Sequence, residues 1–395
     1  MPQTGPLSAP TEDQTGLRGG PASAAGEAVD DTVIANEDMV IVRQNTDNAG
    51  DTNGIPHAAL GISRDSTAFP GGNDRLSRDA PKTPPTSTAI PRDDTATAIS
   101  RVTKELAHRT RESDVFPTHW RRLSDTRFLV TAYWPAVHAF FRPVDDRHQD
   151  PMVVGETLRQ TSMALAHAEF GVPADTHFVM WDMDVTVDPA ALLLADAAEP
   201  VAVHVVCSEI RRRGRGLSSM RTTMQFRRAG RLVARGTGST GCTSPAAYRR
   251  LRARQLAAVG TPVPLPPGIP PELVGRDRAE DVVLAPDDRP GVWRLRVDTG
   301  HPVLFPRPND HVPGMVLFEA ARQAATAASG GAPFLPGRMS VSFSRYTELD
   351  TPCLLETEVL DKEEVTVRVS GVQNGESAFT ATLSAAPDAP ARSAP

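Results

Sequence analysis

The sequence predicts an α+β protein built from two tandem copies of one unit, each an enclosed helix wrapped by an antiparallel sheet. The prediction rests on an internal repeat, on one apolar helix in each repeat and on the alternating strands that follow each helix. Only 5% of the 395 residues are aromatic, whereas 29 are glycine and 36 are proline. Such a composition is typical of folded parts diluted by unstructured ones.

The internal repeat becomes visible when the numbering is shifted by 163 residues, which lays His138–Gln160 on His301–Gln323 without a gap. Eight of these 23 positions are identical, and the identical residues are mostly polar, which a shared amphipathic pattern alone does not produce. The identical pairs are His138 and His301, Pro143 and Pro306, His148 and His311, Met152 and Met315, Val153 and Val316, Glu156 and Glu319, Arg159 and Arg322, and Gln160 and Gln323.

One helix is predicted in each repeat, at Met152–Phe170 and at Met315–Ala328, and both are apolar on most faces. Such a helix is enclosed rather than lying on a surface. Two enclosed helices, each wrapped by an antiparallel sheet, form a tandem double hotdog. The strands are predicted at Phe178–Val187, Val201–Ile210, Thr222–Arg228 and Leu232–Gly236, and at Met339–Phe343, Leu354–Leu360, Val365–Val372 and Ser377–Leu383.

Composition divides the chain further. Residues 1–100 carry 14 acidic against 7 basic side chains and one aromatic residue, so they cannot bury enough apolar surface to offset chain entropy. A disordered acidic extension is predicted there. The first repeat is predicted at 101–255, a Pro-rich linker at 256–277, the second repeat at 278–387 and a disordered tail at 388–395.

The rest of the chain is near neutral, which excludes an overall polybasic nucleic-acid binder. Three cysteines cannot form a disulfide framework, and no segment reaches the roughly 20 apolar residues of a bilayer helix. The N-terminal residues do not show a basic start followed by an apolar stretch, so no secretory signal is predicted. A cytoplasmic protein that binds neither nucleic acid nor membrane is predicted.

Glu156 and Arg159, like their copies Glu319 and Arg322, lie three residues apart on a helix, so each pair shares one face. The surrounding positions are apolar, which predicts that both pairs are partly buried. Buried charged side chains are usually paired with an opposite charge, and such pairs are often found at functional sites. A purely structural salt bridge is the alternative, but recurrence in both repeats favours a functional role.

His148 and His311 lie in the loops entering the two helices, and His138 and His301 precede them. A neutral imidazole there can serve as general acid or base, or can make only local hydrogen bonds. No metal site is predicted, because no pair of histidines with helical ligand spacing is found and no cysteine joins the set.

The two helix starts differ. Pro313-Gly314 opens the second helix with free N–H groups that can stabilise an oxyanion or a phosphate. The first repeat has Asp150-Pro151 there, and Pro151 has no N–H to donate. The two sites are therefore predicted to be non-equivalent.

Two further motifs have competing interpretations. Gly236-x-Gly238-x-x-Gly241 matches a dinucleotide fingerprint but follows a hairpin instead of opening a βαβ unit, so no nucleotide cofactor is predicted. The turn Arg211–Gly216 is the densest positive patch. It is either a solvated hairpin tip or a docking site for an acidic partner, such as an acyl carrier protein or a phosphate-bearing substrate.

The chain resembles the A-factor biosynthesis hotdog proteins, the γ-butyrolactone synthases of actinomycetes, over about 101–385. The resemblance is carried by the run His311-Val-Pro-Gly-Met-Val-Leu-Phe-Glu319-Ala-Ala-Arg322-Gln323. The first repeat agrees in Asp150-Pro-Met-Val-Val-Gly-Glu156-Thr-Leu-Arg159-Gln160 and in His167-Ala-Glu-Phe-Gly-Val-Pro173.

This resemblance implies an acyltransferase that moves a β-ketoacyl group from acyl carrier protein to a hydroxyl of dihydroxyacetone phosphate. The ester then closes by an intramolecular aldol condensation towards γ-butyrolactone signals of secondary metabolism. The resemblance requires no metal or redox cofactor, and a monomeric pseudo-dimer is expected. Two alternatives stay open: a hotdog thioesterase or dehydratase acting on another acyl thioester, and a non-catalytic ligand-binding protein.

We hypothesise that Glu319 deprotonates the attacking hydroxyl while Arg322 orients Glu319 or binds phosphate. Glu156 and Arg159 act likewise at the other site or bind substrate. The Gly314 N–H is expected to hold the thioester oxyanion. Substrate-binding roles are also expected for His311, His301, His148, His138, Gln323 and Gln160.

Overall fold

A computed structural model describes residues 98–145, 147–330, 334–363 and 365–386. The predicted tail, and all but the last three residues of the predicted acidic extension, lie outside these ranges. Within them, no helix combines the length and the apolar character needed to cross a membrane.

The strands of the described residues form a single sheet with thirteen members, and every neighbouring pair is antiparallel. The first half supplies β1 Ser100–Arg101, β2 Pro117–Ser124, β3 Arg127–Ala132, β4 His177–Val187, β5 Val201–Arg213, β6 Gly216–Arg228 and β7 Arg231–Thr243. The second half supplies β8 Leu284–Pro286, β9 Val292–Leu295, β10 Pro336–Phe343, β11 Leu354–Asp361, β12 Thr366–Gln373 and β13 Glu376–Ala385.

The two halves join where β4 pairs with β10, with Met183 opposite Val341. Across the sheet the order is β1-β2-β3-β5-β6-β7-β4-β10-β13-β12-β11-β9-β8. Apart from the extra strand β1, the order outward from the junction is equivalent on both sides. The sheet therefore has the approximate two-fold relation that the internal repeat predicts.

The helices of the described residues are α1 Met152–Phe170, α2 Pro245–Leu251, α3 Ala253–Ala257 and α4 Gly314–Ala328. The long helices α1 and α4 are buried along most of their length, which confirms the predicted tandem hotdog. Helix α1 has the predicted bounds, and α4 begins one residue earlier than predicted. All eight predicted strands are present, although several are longer than predicted.

The glycines of the apparent dinucleotide motif lie within β7 and serve packing. A Cβ atom on Gly236 would lie 2.6 Å from Leu158 Cδ1 of α1, and one on Gly238 would lie 3.1 Å from Leu158 Cδ2. A Cβ on Gly241 would lie 2.8 Å from the Trp181 ring. The motif therefore brings helix and sheet into close contact instead of forming a phosphate loop.

The two helices also meet each other, at Gly155 of α1 and Phe318 of α4. A Cβ on Gly155 would lie 3.4 Å from the Phe318 ring, and that ring is completely buried. Burying one phenylalanine stabilises a fold by roughly 1.5–3 kcal/mol. One continuous apolar core thus runs through both repeats and holds them together.

Candidate active site

Both predicted Glu–Arg pairs form on the buried helices. Arg159 Nη2 donates to Glu156 Oε1 at 2.7 Å, and Arg322 Nη2 donates to Glu319 Oε1 at 2.8 Å. Both glutamate side chains are 0% exposed and that of Arg322 is 2% exposed, whereas the Arg159 side chain is 18% exposed. Both pairs are thus more deeply buried than the sequence predicts, and of the four side chains that of Arg159 is the most exposed.

Each glutamate also binds a second, buried arginine that the sequence analysis does not single out. Arg109 Nε donates to Glu156 Oε1 at 2.9 Å, and Arg276 Nε donates to Glu319 Oε1 at 2.9 Å. Arg276 lies within the predicted linker 256–277, yet it is buried in the second repeat, which therefore begins earlier than predicted.

These arginines come from an R-x-R-x-x-D motif that occurs once in each repeat, at Arg109–Asp114 and Arg276–Asp281. In each copy the second arginine bonds to the aspartate, with Arg111 Nε 3.0 Å from Asp114 Oδ2 and Arg278 Nε 3.0 Å from Asp281 Oδ2. The motif precedes β2 in the first repeat and β8 in the second, and it is visible in the sequence alone when these two segments are aligned.

The spacing of glutamate and glutamine, which is the same on both helices, also has a structural reason. Gln160 Nε2 donates to the Asp114 carbonyl at 2.7 Å and to its helix glutamate at 2.5 Å. Gln323 Nε2 donates to the Asp281 carbonyl at 2.8 Å and to its helix glutamate at 2.6 Å. In both repeats the glutamine Oε1 accepts a backbone N–H at 2.9 Å. Each glutamine thus ties a helix to the upstream motif.

His138 and His301 each face the aspartate of the upstream motif. His138 Nδ1 accepts two backbone N–H groups at 3.0 and 3.1 Å, and His301 Nδ1 accepts two at 3.2 and 3.0 Å. An accepting nitrogen carries no proton, so the ring proton is on Nε2, which faces Asp114 at 3.3 Å or Asp281 at 3.1 Å. The geometry favours the local hydrogen-bonding alternative for both histidines.

Two matching networks result. The first network comprises Arg109, Asp114, His138, Glu156, Arg159 and Gln160, and the second network comprises Arg276, Asp281, His301, Glu319, Arg322 and Gln323.

Each network reaches across to the other repeat. Arg109 Nη1 donates to the Val303 carbonyl at 2.8 Å, and Arg276 Nη1 donates to the Phe140 carbonyl at 2.9 Å. These carbonyls belong to the loops that lead into α4 and α1, so each loop lies against the opposite repeat. Asp150, at the end of the first of these loops, places Oδ2 3.7 Å from Arg276 Nη1.

Electrostatics fixes the protonation of both glutamates. Burial raises the pKa of Glu156 and Glu319, but the charges and hydrogen bonds of two arginines outweigh it and lower each pKa to about 2. A carboxylate with so low a pKa holds a proton poorly at neutral pH. This arrangement disfavours the general-base role expected for Glu319, and an ionised anchor for two guanidinium groups fits it better.

The remaining two predicted histidines lie outside the networks. His148 Nδ1 is 2.8 Å from Asp145 Oδ2. His311 Nδ1 is 2.9 Å from Asp310 Oδ1, and its side chain is 20% exposed. Asp310 in turn accepts the Tyr248 hydroxyl at 2.7 Å and Arg252 Nε at 2.8 Å. His311 therefore belongs to a braced His–Asp pair, and its Nε2 points away from that bond.

The helix starts differ as the sequence predicts. Asp150 Oδ1 accepts the Met152 N–H at 2.9 Å and so caps α1. No side chain of the described residues caps α4, where Gly314 is the first helical residue and is half-buried. The free N–H groups of α4 remain available for an oxyanion.

The fold and the site together define the class of protein: a tandem hotdog protein with one buried Glu–Arg network in each repeat. The sequence matches the family described as the A-factor biosynthesis hotdog domain over residues 91–244 and 260–387. The chain belongs to this family, which confirms the resemblance stated above.

Three similar proteins are named 2-oxo-3-(phosphooxy)propyl 3-oxoalkanoate synthase. The Streptomyces virginiae protein is 45% identical, over 72% of this chain and 97% of its own length. The Streptomyces coelicolor protein is 45% identical, over 71% of this chain and 90% of its own. The Streptomyces griseus protein is 41% identical, over 73% of this chain and 97% of its own.

Removing one glutamate charge tests the anchoring role. We predict that Glu319→Gln lowers the free energy of unfolding by about 3–5 kcal/mol, because two buried guanidinium groups lose their main counter-charge. Glu156→Gln should cost less, since the Arg159 side chain is 18% exposed and can be hydrated. Urea unfolding followed by tryptophan fluorescence measures both values.

The matched control is Glu358→Gln, which breaks an exposed ion pair with Arg368. Exposed pairs contribute at most about 1 kcal/mol, so this variant should unfold almost as the parent does. A Glu319→Gln variant as stable as the control would show that the second network does not depend on its carboxylate.

Proposed function

We propose that the protein is an acyltransferase that joins a 3-oxoalkanoyl group to a hydroxyl of dihydroxyacetone phosphate, giving a 2-oxo-3-(phosphooxy)propyl 3-oxoalkanoate. The observation that carries the proposal is the 45% identity to a synthase of that name over 97% of the synthase's length. In the reaction the hydroxyl oxygen bonds to the acyl carbonyl carbon, the carbon–sulfur bond breaks, and the hydroxyl proton ends on the departing thiol.

The start of α4 suits the acyl carbonyl. As the thioester carbonyl becomes tetrahedral, its oxygen gains negative charge, which uncapped N–H groups at a helix start stabilise. We assign this role to Gly314. A Cβ at this position would lie 3.3 Å from the Phe343 ring, so glycine lets that ring pack closely against the helix start.

His311 is the proton acceptor that we assign to the attacking hydroxyl, in place of Glu319. It lies three residues before Gly314, is partly exposed, and holds Asp310 through Nδ1 at 2.9 Å. That bond directs the Nδ1 proton to the carboxylate and leaves Nε2 to accept a proton. Glu319 and Arg322 then support the site from within the core.

The carrier protein of the thioester is proposed to dock at Arg211–Gly216. All six residues of this turn are exposed at the tip of the β5–β6 hairpin, where four arginines offer a positive surface. The tip and the start of β4 lie at the same end of the sheet, three strands or about 15 Å apart. An acidic carrier protein complements this charge.

Product analysis tests the function. Purified protein, dihydroxyacetone phosphate and β-ketoacyl thioesters of graded length should give the ester, or its butenolide, by mass spectrometry. Acyl carrier protein thioesters should react at lower concentration than pantetheine thioesters if the arginine turn docks the carrier. Free β-keto acid released without regard to the phosphate would indicate a thioesterase, and no turnover would indicate a ligand-binding protein.

Replacing the proposed base is a separate test. We predict that His311→Gln lowers kcat roughly a hundredfold or more while the melting temperature changes little, because a positioned base contributes 10²–10⁴-fold. The matched control is His204→Gln, which changes an exposed imidazole on β5. A His311→Gln enzyme with the parental kcat would exclude His311 as the base.

A further inference from the structure

The charge around the two networks is unequal, although the networks themselves match. Beside the first network lies Arg307, whose counterpart after the shift of 163 residues is Val144. Beside the second lies Asp150, whose counterpart is Pro313. With Arg307 included, the first network has three guanidinium groups facing one helix glutamate. With Asp150 included, the second network has two guanidinium groups facing two carboxyl groups. The symmetric Arg111–Asp114 and Arg278–Asp281 pairs do not alter this difference.

A directed chain of hydrogen bonds holds Arg307 in place. Arg307 Nη2 donates to His108 Nδ1 at 3.0 Å, and His108 Nε2 lies 2.8 Å from His167 Nε2. His167 Nδ1 lies 2.8 Å from the Val172 carbonyl, which only accepts. His167 must therefore donate through Nδ1 and accept at Nε2, so the His108 proton is on Nε2. Each ring nitrogen of His108 and His167 is therefore assigned as either a hydrogen-bond donor or an acceptor.

These histidines hold position without adding charge. Burial, and then the charges of Arg307 and Arg159, lower the pKa of His108 to about 3. The second repeat has no equivalent chain, because Gly275 occupies the position that matches His108 in the upstream motif. Among the described residues, this chain of hydrogen bonds therefore occurs beside the first network and not beside the second.

The guanidinium groups of Arg307 and Arg159 can still bind a ligand. Arg307 is exposed, and within the described residues its hydrogen-bond partner is the neutral His108 and not a carboxylate. Arg159 keeps 18% of its side chain exposed, and its Nη1 contacts only the Met163 sulfur, at 2.9 Å. The positive charges of Arg159 and Arg109 also act on Arg307. An anion is the ligand that such an arrangement favours.

We propose that Arg307 and Arg159 bind the phosphate group of the acyl acceptor, and that His108 is a positioning residue for Arg307. This inference rests on the proposed function for the identity of the acceptor. The planar guanidinium presents paired donors that match phosphate oxygens. Arg322, the sequence-based candidate for this role, is 2% exposed, and its Nε and Nη2 donate to Glu319 in the core.

Apart from Arg159 on α1, the proposed acceptor site lies on the loop from Arg307 to Gly314. Four residues after Arg307 comes His311, the proposed base, and Gly314 follows at the helix start. His177 lies near the His311 end, since its ring stacks on Tyr248 at 3.6 Å and the Tyr248 hydroxyl lies 3.3 Å from His311 Nδ1. Burial lowers the pKa of His177, and the positive charges of Arg307 and His311 lower it further, so His177 is near both. A phosphate at Arg307 therefore brings its hydroxyl-bearing end towards the base.

The test is steady-state kinetics with inorganic phosphate as competitor. Arg307→Ala should raise the KM for dihydroxyacetone phosphate and the inhibition constant of phosphate roughly tenfold or more, with the KM for thioester nearly unchanged. Arg307→Lys should retain part of the binding. The control Arg231→Ala removes an exposed arginine paired with Asp188 and should leave all constants unchanged. His108→Ala should raise the same KM at constant kcat, and His108→Asn, which restores an acceptor, should recover part of it.

Direct binding separates this inference from the proposed function. Inorganic phosphate should raise the melting temperature of the parent protein but not that of Arg307→Ala, whether or not the parent makes product. Equal phosphate binding by both proteins would overturn the inference and leave the synthase function untouched. A rise in thioester KM alone would also overturn it, because Arg307 would then serve the acyl donor.

Discussion

Two ionised glutamates, each gripped by two arginines, are the constraint on which the structure depends. Glu156 and Glu319 are completely buried, and a buried carboxylate is tolerated only when opposite charge and hydrogen bonds replace its hydration. Each upstream arginine meets this need and also bonds to a carbonyl of the opposite repeat. The same side chains thus neutralise the core and fix the two repeats in register.

The duplicated scaffold permits the two halves to diverge. Asp150 adds a buried carboxyl beside the second network, and burial raises its pKa although Arg276 and Arg322 oppose that effect. An acid whose folded pKa is raised contributes stability only below its unfolded pKa of about 3.9, and loses it as pH rises through the folded value. Asp150 therefore costs stability near neutral pH, and although it belongs to the first repeat it lies beside the second network. Arg307, which belongs to the second repeat, instead adds positive charge beside the first network, near the surface.

Sequence periodicity was sufficient for the enclosed helices and for eight of the thirteen strands of the described residues, because burial imposes a repeat of 3.6 or 2 residues on apolar side chains. It did not indicate β1, β2, β3, β8 and β9. It also placed Glu156, Arg159 and their copies on the correct faces. Periodicity did not indicate Arg109 and Arg276, because they lie in irregular segments. The motif that the two repeats share does indicate them. The bond between Arg307 and His108 joins the two repeats over 199 positions, and no local pattern indicates it. The depth of burial, which makes Glu319 an anchor and a poor base, is likewise a property of the assembled core.

The ionisation of the two helix glutamates tests the central claim most directly. Carbon-13 carboxyl NMR of glutamate-labelled protein, assigned with Glu156→Gln and Glu319→Gln, follows each group between about pH 6 and pH 3, across the usual glutamate range. Because both pKa values are lowered to about 2, neither carboxyl signal should titrate in that interval while the protein stays folded. A midpoint near or above the ordinary glutamate value for either residue would contradict the account.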